Sequence, residues 1–209
     1  PAPDLPSPHA LLAAACALCN DAVPPAAGGA TPLGDPTEIA LLAAAAKAGF
    51  SKEALERSFP RVAEIPFTPE RKRMTTAHAV SAGGIPLADG SDPGLSVVFP
   101  NVAGAAGFVV TKGAADMLVP LCAAEWTECG LLPLDLAGRA RILAEGAAMA
   151  GRGLRVLGVA FRTSANAPAG ASAGEPEEGL AFLGLVGMID PPRPEAFVQD
   201  VRGPGKGGA

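Results

Sequence analysis

The apolar residues of this chain follow two periods, and the segments between them are rich in glycine and proline. Residues 36–48 place apolar side chains at helical spacing. Residues 74–80 alternate, and residues 154–161 and 180–189 are almost continuously apolar, as strands are. Strands that are interrupted by helices and joined by hairpin-length connections predict an α+β domain, and we expect a mainly antiparallel sheet flanked by helices.

Capping residues define the strongest helix prediction. Asp35 suits the N-cap, Pro36 suits the first helical position, and Glu38 stands where a carboxylate can reach back to the cap amide. Asp135 has the same capping role ahead of a longer helix that ends at Ala150. Shorter helices are predicted over residues 9–20, between Ser51 and Pro60, and over residues 116–122.

The connections between the predicted strands differ in length. Residues 61–67 predict an edge strand, because their proline lacks the amide that a central strand needs. Residues 108–111 predict the strand that returns from a long hairpin connection over 81–106, where Asp-Gly and Asp-Pro-Gly turns occur. A low-complexity linker is predicted over 163–179. We therefore expect one domain over residues 1–189 with two flexible loops.

Composition and charge limit the class of partner. The 209 residues are 49% hydrophobic, so the chain can build a core, while 26 glycines and 22 prolines predict long loops around it. A net charge of −5 argues against nucleic acid and anionic membrane surfaces as partners. The apolar runs are too short for a bilayer, and no basic segment precedes residues 10–19, so we expect neither membrane insertion nor a signal peptide.

The cysteines and histidines form no catalytic pattern. Cys16 and Cys19 have the spacing of a metal-binding pair, but the other two cysteines are separated by six residues, which does not complete a zinc site. We interpret the cysteines as small core residues in a reducing compartment. His9 and His78 have no partner in the sequence, so we assign structural roles to both.

The clearest chemical signal lies in residues 108–118. Strand-forming residues run into Lys112 and Gly113, and a helical pattern follows. An ammonium group at a strand end, beside a backbone that a ligand can approach closely, suits an anionic small molecule. A solvated lysine is the plain alternative, since most lysines are exposed.

Four segments stand in the order and spacing of one family's signature motifs. Residues 34–38 read Gly-Asp-Pro-Thr-Glu, and residues 66–74 read Pro-Phe-Thr-Pro-Glu-Arg-Lys-Arg-Met. Residues 111–114 read Thr-Lys-Gly-Ala, and residues 187–195 read Gly-Met-Ile-Asp-Pro-Pro-Arg-Pro-Glu. Over roughly residues 11–195 the chain resembles the nucleotide-binding (N) domain of P-type cation-transporting ATPases. The second and fourth segments most resemble the calcium-pump branch.

The resemblance implies a role for each matched residue. ATP, as Mg-ATP, would be held by its adenine, with Phe67 stacked on the ring, Glu38 at the adenine edge and Lys112 along the pocket. Arg155 would reach the phosphates, and magnesium would be held mainly outside this chain. The other implied nucleotide-binding residues are Thr37, Gly113 and Arg71.

The same residues also have purely structural interpretations. Phe67 would be a core side chain, Glu38 would serve the helix cap, and Arg155, whose strand neighbours are apolar, would pair with an internal carboxylate. Arg71 stands in a basic cluster that would form a solvated strand end. The family often has an arginine two positions after the stacking phenylalanine, whereas this chain has Pro69. That difference weakens the phosphate end of the site or transfers its work to Arg71.

The resemblance also implies what lies outside this chain. The family transfers phosphate to the aspartate of an Asp-Lys-Thr-Gly-Thr motif, which this sequence lacks together with the magnesium-holding motifs. We therefore expect an ATP-binding module, inactive alone, from the cytosolic side of a membrane-embedded pump. Its partners would be ATP or ADP and the pump's phosphorylation and actuator domains. Residues 190–209 would form a hinge and a disordered tail, and the implied hinge residues are Asp190, Pro191, Pro192 and Arg193.

Two alternatives stay open at this point. The chain could be a non-catalytic remnant or interaction module whose nucleotide site has decayed, an interpretation that Pro69 and the glycine-rich end favour. The pump could also move protons or sodium and potassium instead of calcium, because ion choice depends on membrane helices.

Overall fold

The computed structural model describes residues 7–24, 31–80, 105–164 and 177–189. The helices within these ranges are α1 (Pro8–Leu18), α2 (Pro36–Lys47), α3 (Lys52–Ser58), α4 (Ala115–Leu118) and α5 (Leu136–Gly151). The strands are β1 (Arg61–Ile65), β2 (Arg73–Ala79), β3 (Gly107–Gly113), β4 (Cys122–Thr127), β5 (Gly130–Pro133), β6 (Leu154–Ser164) and β7 (Leu180–Ile189). None of these helices is long and apolar enough to cross a bilayer.

The strands form a single seven-stranded sheet in the order β1-β2-β3-β6-β7-β4-β5. Only β4 and β7 pair in parallel, and the other neighbouring strands pair antiparallel. The mainly antiparallel α+β fold is therefore confirmed. β1 lies at an edge of the sheet, as its proline predicted, and it ends at Ile65 immediately before Pro66.

The hairpin of β4 and β5 is an element that the sequence pattern did not predict. We expected a helix over residues 116–122, but α4 ends at Leu118 and a 3-10 turn over Val119–Leu121 leads into β4. Pro120 explains the early end of the helix, because proline has no amide to donate and its ring crowds the preceding turn. The chain therefore enters the sheet at Cys122 instead of continuing as a helix.

Both faces of the central part of the sheet are buried. Successive side chains of a strand point to opposite faces, and β3 shows the division clearly. Phe108 and Val110 belong to a core with residues of α1, α2 and α3, whereas Val109 belongs to a core with residues of α4 and α5. By the same alternation, Lys112 lies on the face of Phe108, and Thr111 lies on the face of Val109.

A polar network joins the end of α1 to the start of α2. The Asn20 amide donates to the Glu38 carbonyl at 2.9 Å. The Asn20 carbonyl accepts from Lys52 at 2.7 Å and from Arg61 at 2.8 Å. Arg61 also donates to the Leu18 carbonyl at 3.3 Å, one of the carbonyls that a helix end leaves without an intrahelical partner. The network holds Asp21, the residue after Asn20, beside the first turn of α2.

Parts of three sequence predictions lie outside the described residues. They are the hinge and tail over residues 190–209, residues 81–104 of the first loop, and residues 165–176 of the second loop. At the ends of that second loop the structure differs from a flexible linker. β6 continues to Ser164, and the side chain of Glu177 is buried.

The cysteines are all free thiols. Cys16, Cys19 and Cys122 are buried, which confirms their interpretation as small core residues, whereas Cys129 is exposed in the unpredicted β4–β5 turn. Burial raises the pKa of Cys16 to about 12, and the neighbouring Cys19 adds to this shift. Burial likewise raises the pKa of Cys122 to about 12. These two thiols therefore stay protonated at neutral pH.

His78 has the structural role that the sequence suggested. Its ring is fully buried and stacks on Phe108 with centroids 5.3 Å apart. One ring nitrogen lies 3.0 Å from the Phe59 carbonyl and the other lies 2.9 Å from the Thr76 hydroxyl. Burial lowers the pKa of His78 to about 4. The Phe59 carbonyl opposes this shift, and the charge of Arg61 adds to it.

This shift predicts a pH-dependent loss of stability. The pKa of His78 is about 4 in the folded chain and 6.5 by its ordinary value, so the unfolded chain binds more protons between these pH values. Stability should fall as pH drops from 6.5 to 4, by about 2–3 kcal/mol from this residue. Chemical denaturation across this pH range should show that the free energy of unfolding of the wild-type chain falls relative to that of His78→Gln as the pH drops. The exposed His9 supplies the control, because His9→Gln should follow the wild type. A constant difference between wild type and His78→Gln would contradict the prediction.

Candidate functional site

A cleft of about 470 Å³ opens where the start of α2, the segment after β1, the end of β3 and the start of β6 meet. It brings together all of the predicted nucleotide-binding residues except Arg71. The residues that line it are Asp21, Asp35, Thr37, Glu38, Phe67, Met74, Lys112, Gly113, Arg155 and Leu157.

The first turn of α2 presents two side chains to the cleft. Asp35 is the N-cap, and its carboxylate accepts the Thr37 amide at 2.8 Å, as the capping pattern predicted. Burial raises the pKa of Asp35, but hydrogen bonds from Thr37 and Glu38 and the charge of Arg155 outweigh this effect, so the pKa is lowered overall. The cap fixes the direction in which Thr37 and Glu38 leave the helix.

Glu38 does not serve the cap of its own helix. One carboxylate oxygen accepts the Lys112 ammonium at 2.5 Å, and the other accepts the Asp21 amide at 3.3 Å. Of the two roles that the sequence left open, the structure therefore shows the carboxylate turned toward the cleft. The Lys112 and Glu38 side chains are 9% and 15% exposed, so this ion pair is largely buried in the cleft floor.

Lys112 lies within β3, not beyond its end. The strand continues to Gly113, and Met74 of β2 stands opposite Lys112 in the antiparallel register. The residue is only 7% exposed, so the plain interpretation of a solvated lysine is wrong. A buried ammonium needs a partner, and Glu38 supplies it.

Gly113 is required by close packing of backbone. A Cβ atom at this position would lie 2.5 Å from the Lys72 carbonyl oxygen and 2.5 Å from the Arg73 Cβ. The amide of the next residue, Ala114, donates to the same Lys72 carbonyl at 3.0 Å. The glycine therefore allows the ends of β2 and β3 to approach each other beside Lys112.

Phe67 lies in the segment after β1 and is 60% exposed. Its interpretation as a core side chain is therefore wrong. Because the cleft exposes both this ring and the buried ion pair, a flat ligand could contact the ring face while its edge reaches Glu38. Phe67, the proposed stacking residue, therefore lies on the same side of the molecule as Lys112.

Arg155 lies at the open side of the cleft. It is exposed, and its guanidinium donates to the Thr37 hydroxyl at 2.7 Å. The nearby charge of Arg155 also lowers the pKa of Asp35, the N-cap of the same helix. The exposed guanidinium of Arg155 therefore contacts the first turn of α2 at the rim of the cleft.

Arg71 is the predicted site residue that does not line the cleft. Its guanidinium binds Glu177 and donates to the Pro66 carbonyl at 2.8 Å. The structure therefore gives Arg71 a carboxylate and a carbonyl as partners where we had expected phosphate. Its interpretation as part of a solvated strand end is also wrong, because its side chain is only 21% exposed.

Four residues of the cleft were not predicted. Met74 and Leu157 form an apolar part of its wall, and Asp21 and Asp35 add carboxylates. Leu157 follows Arg155 on the same face of β6, so the period of a strand could have identified it. Asp21 could not be identified from local sequence, because a polar network that spans α1, α2, α3 and β1 holds it in place.

The matched segments and the cleft agree with a comparison of the whole sequence. Residues 9–195 match the family model described as P-type ATPase, cytoplasmic domain N. The chain belongs to this family. The resemblance that the four segments suggested is therefore confirmed for nearly the whole length of this N domain.

Several named relatives share the family. Over 85% of its length, this N domain is 36% identical to "Calcium-transporting ATPase 1" of Bacillus cereus. It is 38% identical to "Probable cation-transporting ATPase F" of Mycobacterium tuberculosis over 78% of its length, and 38% identical to "Cation-transporting ATPase pma1" of Synechocystis over 79%. The aligned region covers 15–17% of these relatives, so this N domain spans only a small part of each.

The packing around Gly113 gives a stability prediction. Gly113→Ala should destabilise the N domain by about 1–3 kcal/mol, because the added methyl meets backbone that cannot move aside freely. Thermal or chemical unfolding measures this change. Gly151→Ala is the matched control, since a Cβ there would meet nothing within 4 Å. Equal stability of the two variants would contradict the account of the β2–β3 junction.

Proposed function

We propose that this N domain binds ATP in the cleft by its adenine ring and presents the γ-phosphate to a phosphorylatable aspartate in another domain of a cation pump. One observation carries the proposal. An exposed aromatic ring, a buried lysine–glutamate pair and an accessible arginine converge on one cleft from four separate parts of the chain. The volume of about 470 Å³ lies within the range of small-molecule sites.

The adenine end of the proposed site has three kinds of contact. The Phe67 ring offers a stacking face, which contributes about 1–3 kcal/mol per base in nucleic-acid-binding proteins. Met74 and Leu157 supply apolar surface around it. Glu38 retains acceptor capacity beyond its bonds to Lys112 and Asp21, because a carboxylate has about four lone-pair sites. It can therefore accept the exocyclic amino group of adenine.

The phosphate end of the proposed site is weaker. Arg155 is the accessible cation of the cleft lining, because Lys112 is paired with Glu38. Carboxylates of Asp21 and Asp35 line the same space and repel phosphate. Pro69 adds no charge where the family often has arginine. We therefore expect modest affinity, with most of the binding free energy at the adenine end, and with magnesium held mainly by groups outside this chain.

The transported ion and the neighbouring domains are inferred from the relatives. Relatives from Bacillus cereus and Bacillus subtilis are named calcium-transporting ATPases, which supports calcium as the ion, with other cations as the alternative. In the complete pump, residues 190–193 would connect this N domain to the phosphorylation domain, and the actuator domain would be a further partner. ATP supplies the phosphoryl group, while the residues of this chain bind and orient the nucleotide.

A second candidate has two observations in its favour. The chain could be a folded remnant that no longer binds nucleotide, since Pro69 and the acidic cleft lining both weaken the phosphate end. The two candidates differ in a direct measurement, because a remnant would bind neither ATP nor ADP.

The first test is a nucleotide titration followed by NMR. Adenine nucleotides should perturb the amide signals of Phe67, Lys112 and Glu38 in the 209-residue chain, with smaller changes on the opposite face of the sheet, near Val109. ADP should produce the same pattern at the adenine end. Unchanged spectra at about 5 mM ATP, a concentration that detects Kd values near 1 mM, would favour the remnant.

The second test compares two side chains near the cleft. Phe67→Ala should weaken ATP binding about tenfold or more, because it removes the stacking face. Arg71→Ala should weaken it less, because Arg71 does not line the cleft. Dissociation constants from titration calorimetry or NMR measure both losses. An equal or larger loss for Arg71→Ala that affects ATP but not adenosine would mean that the phosphates anchor the ligand.

A further inference from the structure

Glu177 is a buried carboxylate outside the cleft, at the end of a stretch that the sequence suggested to be a linker. Its side chain is 5% exposed. It accepts hydrogen bonds from Arg71, from two nitrogens of Arg73 at 3.0 and 2.7 Å, and from the Thr75 hydroxyl at 2.6 Å. Burial raises the pKa of Glu177, but the bonds from Arg73 and Thr75 and the charges of both arginines outweigh it, so the carboxylate stays ionised at neutral pH.

One line of contacts connects Glu177 to the backbone of Phe67. Arg71 binds Glu177 through one guanidinium nitrogen and donates to the Pro66 carbonyl through another. Pro66 directly precedes Phe67. The turn that follows is closed by the Lys72 amide, which donates to the Thr68 carbonyl at 2.7 Å. Glu177 is therefore linked through Arg71 to the residue that precedes the exposed aromatic ring.

A second line connects Glu177 to the strand that carries Lys112. Arg73 stands opposite Gly113 in the β2–β3 register, at the junction where a Cβ would clash. The Thr75 hydroxyl, which donates to Glu177, also lies 2.9 Å from the Thr111 hydroxyl of β3. The side chains of Arg73, Thr75 and Thr111 lie on the sheet face opposite the cleft. Glu177 thus fixes the start of β2 and the end of β3 from the sheet face opposite the cleft.

We infer that Glu177 is a positioning residue of the nucleotide site, acting through Arg71 on Phe67 and through Arg73 on the β2–β3 junction. The inference rests on the proposed adenine site, and it gives Arg71 an indirect role in place of a phosphate contact. Glu177 touches no ligand in this account. Its carboxylate binds two guanidinium groups and reduces their mutual repulsion, which would otherwise release the turn.

The decisive variant is Glu177→Gln, with Glu178→Gln as its control. Gln keeps the size of the side chain but removes the charge, whereas Glu178 is the exposed neighbour in the chain. Glu177→Gln should weaken adenosine and ATP by the same factor, about three- to tenfold, a part of the full stacking contribution. Glu178→Gln should leave both affinities unchanged. Weaker binding of ATP alone would place the effect at the phosphates and overturn the inference, as would affinities equal to those of the control.

A double-mutant cycle separates positioning from general destabilisation. If Glu177 acts through Phe67, Glu177→Gln should cost little additional affinity in a chain that already carries Phe67→Ala. An undiminished cost in that background would overturn the inference. If Glu177→Gln fails to fold, Arg71→Met provides the same test, because it removes the link to Pro66 and leaves Glu177 paired with Arg73.

A measurement without ligand keeps this inference distinct from the proposed function. In the free chain, Glu177→Gln should shift the NMR signals of Phe67 and Lys72, and Glu178→Gln should not. If Phe67→Ala leaves adenosine binding unchanged, the proposed adenine site fails. Positioning of the turn by Glu177 would still be supported or overturned by these ligand-free shifts.

Discussion

The buried ion pair between Lys112 and Glu38 is the interaction on which the cleft depends. It joins residues 74 positions apart in the chain, one in β3 and one in the first turn of α2. Removing one partner of a buried pair typically costs about 3–5 kcal/mol, because the other charge stays buried. The cleft floor is therefore also a tie between helix and sheet. This ion pair fixes the start of α2 and therefore the position of Thr37. Thr37 in turn accepts a hydrogen bond from Arg155.

The two faces of the sheet contribute different groups to this site. Lys112 and Met74 face the cleft, while Thr75, Thr111 and Glu177 lie behind it. Gly113 stands between them, where the backbones of β2 and β3 approach too closely for any side chain. A side chain can thus be exposed to ligand on one face while its backbone is held by charged groups on the other.

The sequence predicted the parts of the site that depend on local chemistry and missed those that depend on distant contacts. The start of α2 followed from Asp35 and Pro36, and the edge position of β1 followed from Pro66. The local sequence did not indicate that the Glu38 carboxylate would bind Lys112 instead of the cap amide. Glu177 was hidden for a similar reason: its neighbours are low in complexity, and its partners lie more than 100 residues earlier. The β4–β5 hairpin was missed because apolar residues around Pro120 fit a helix as well as a turn and strand.

The charges of the cleft argue for recognition of a ring over recognition of phosphates. Lys112 is paired with Glu38, and Arg71 and Arg73 share the single carboxylate of Glu177 on the far face. Arg155 is the exposed cation of the cleft lining, and the carboxylates of Asp21 and Asp35 line the same space in a chain of net charge −5. Stacking on an aromatic ring does not require this charge balance, because it depends on contact area and polarisable surface. This charge distribution supports the proposed function, in which a nucleotide is held by its ring and its phosphates are left to a separate domain.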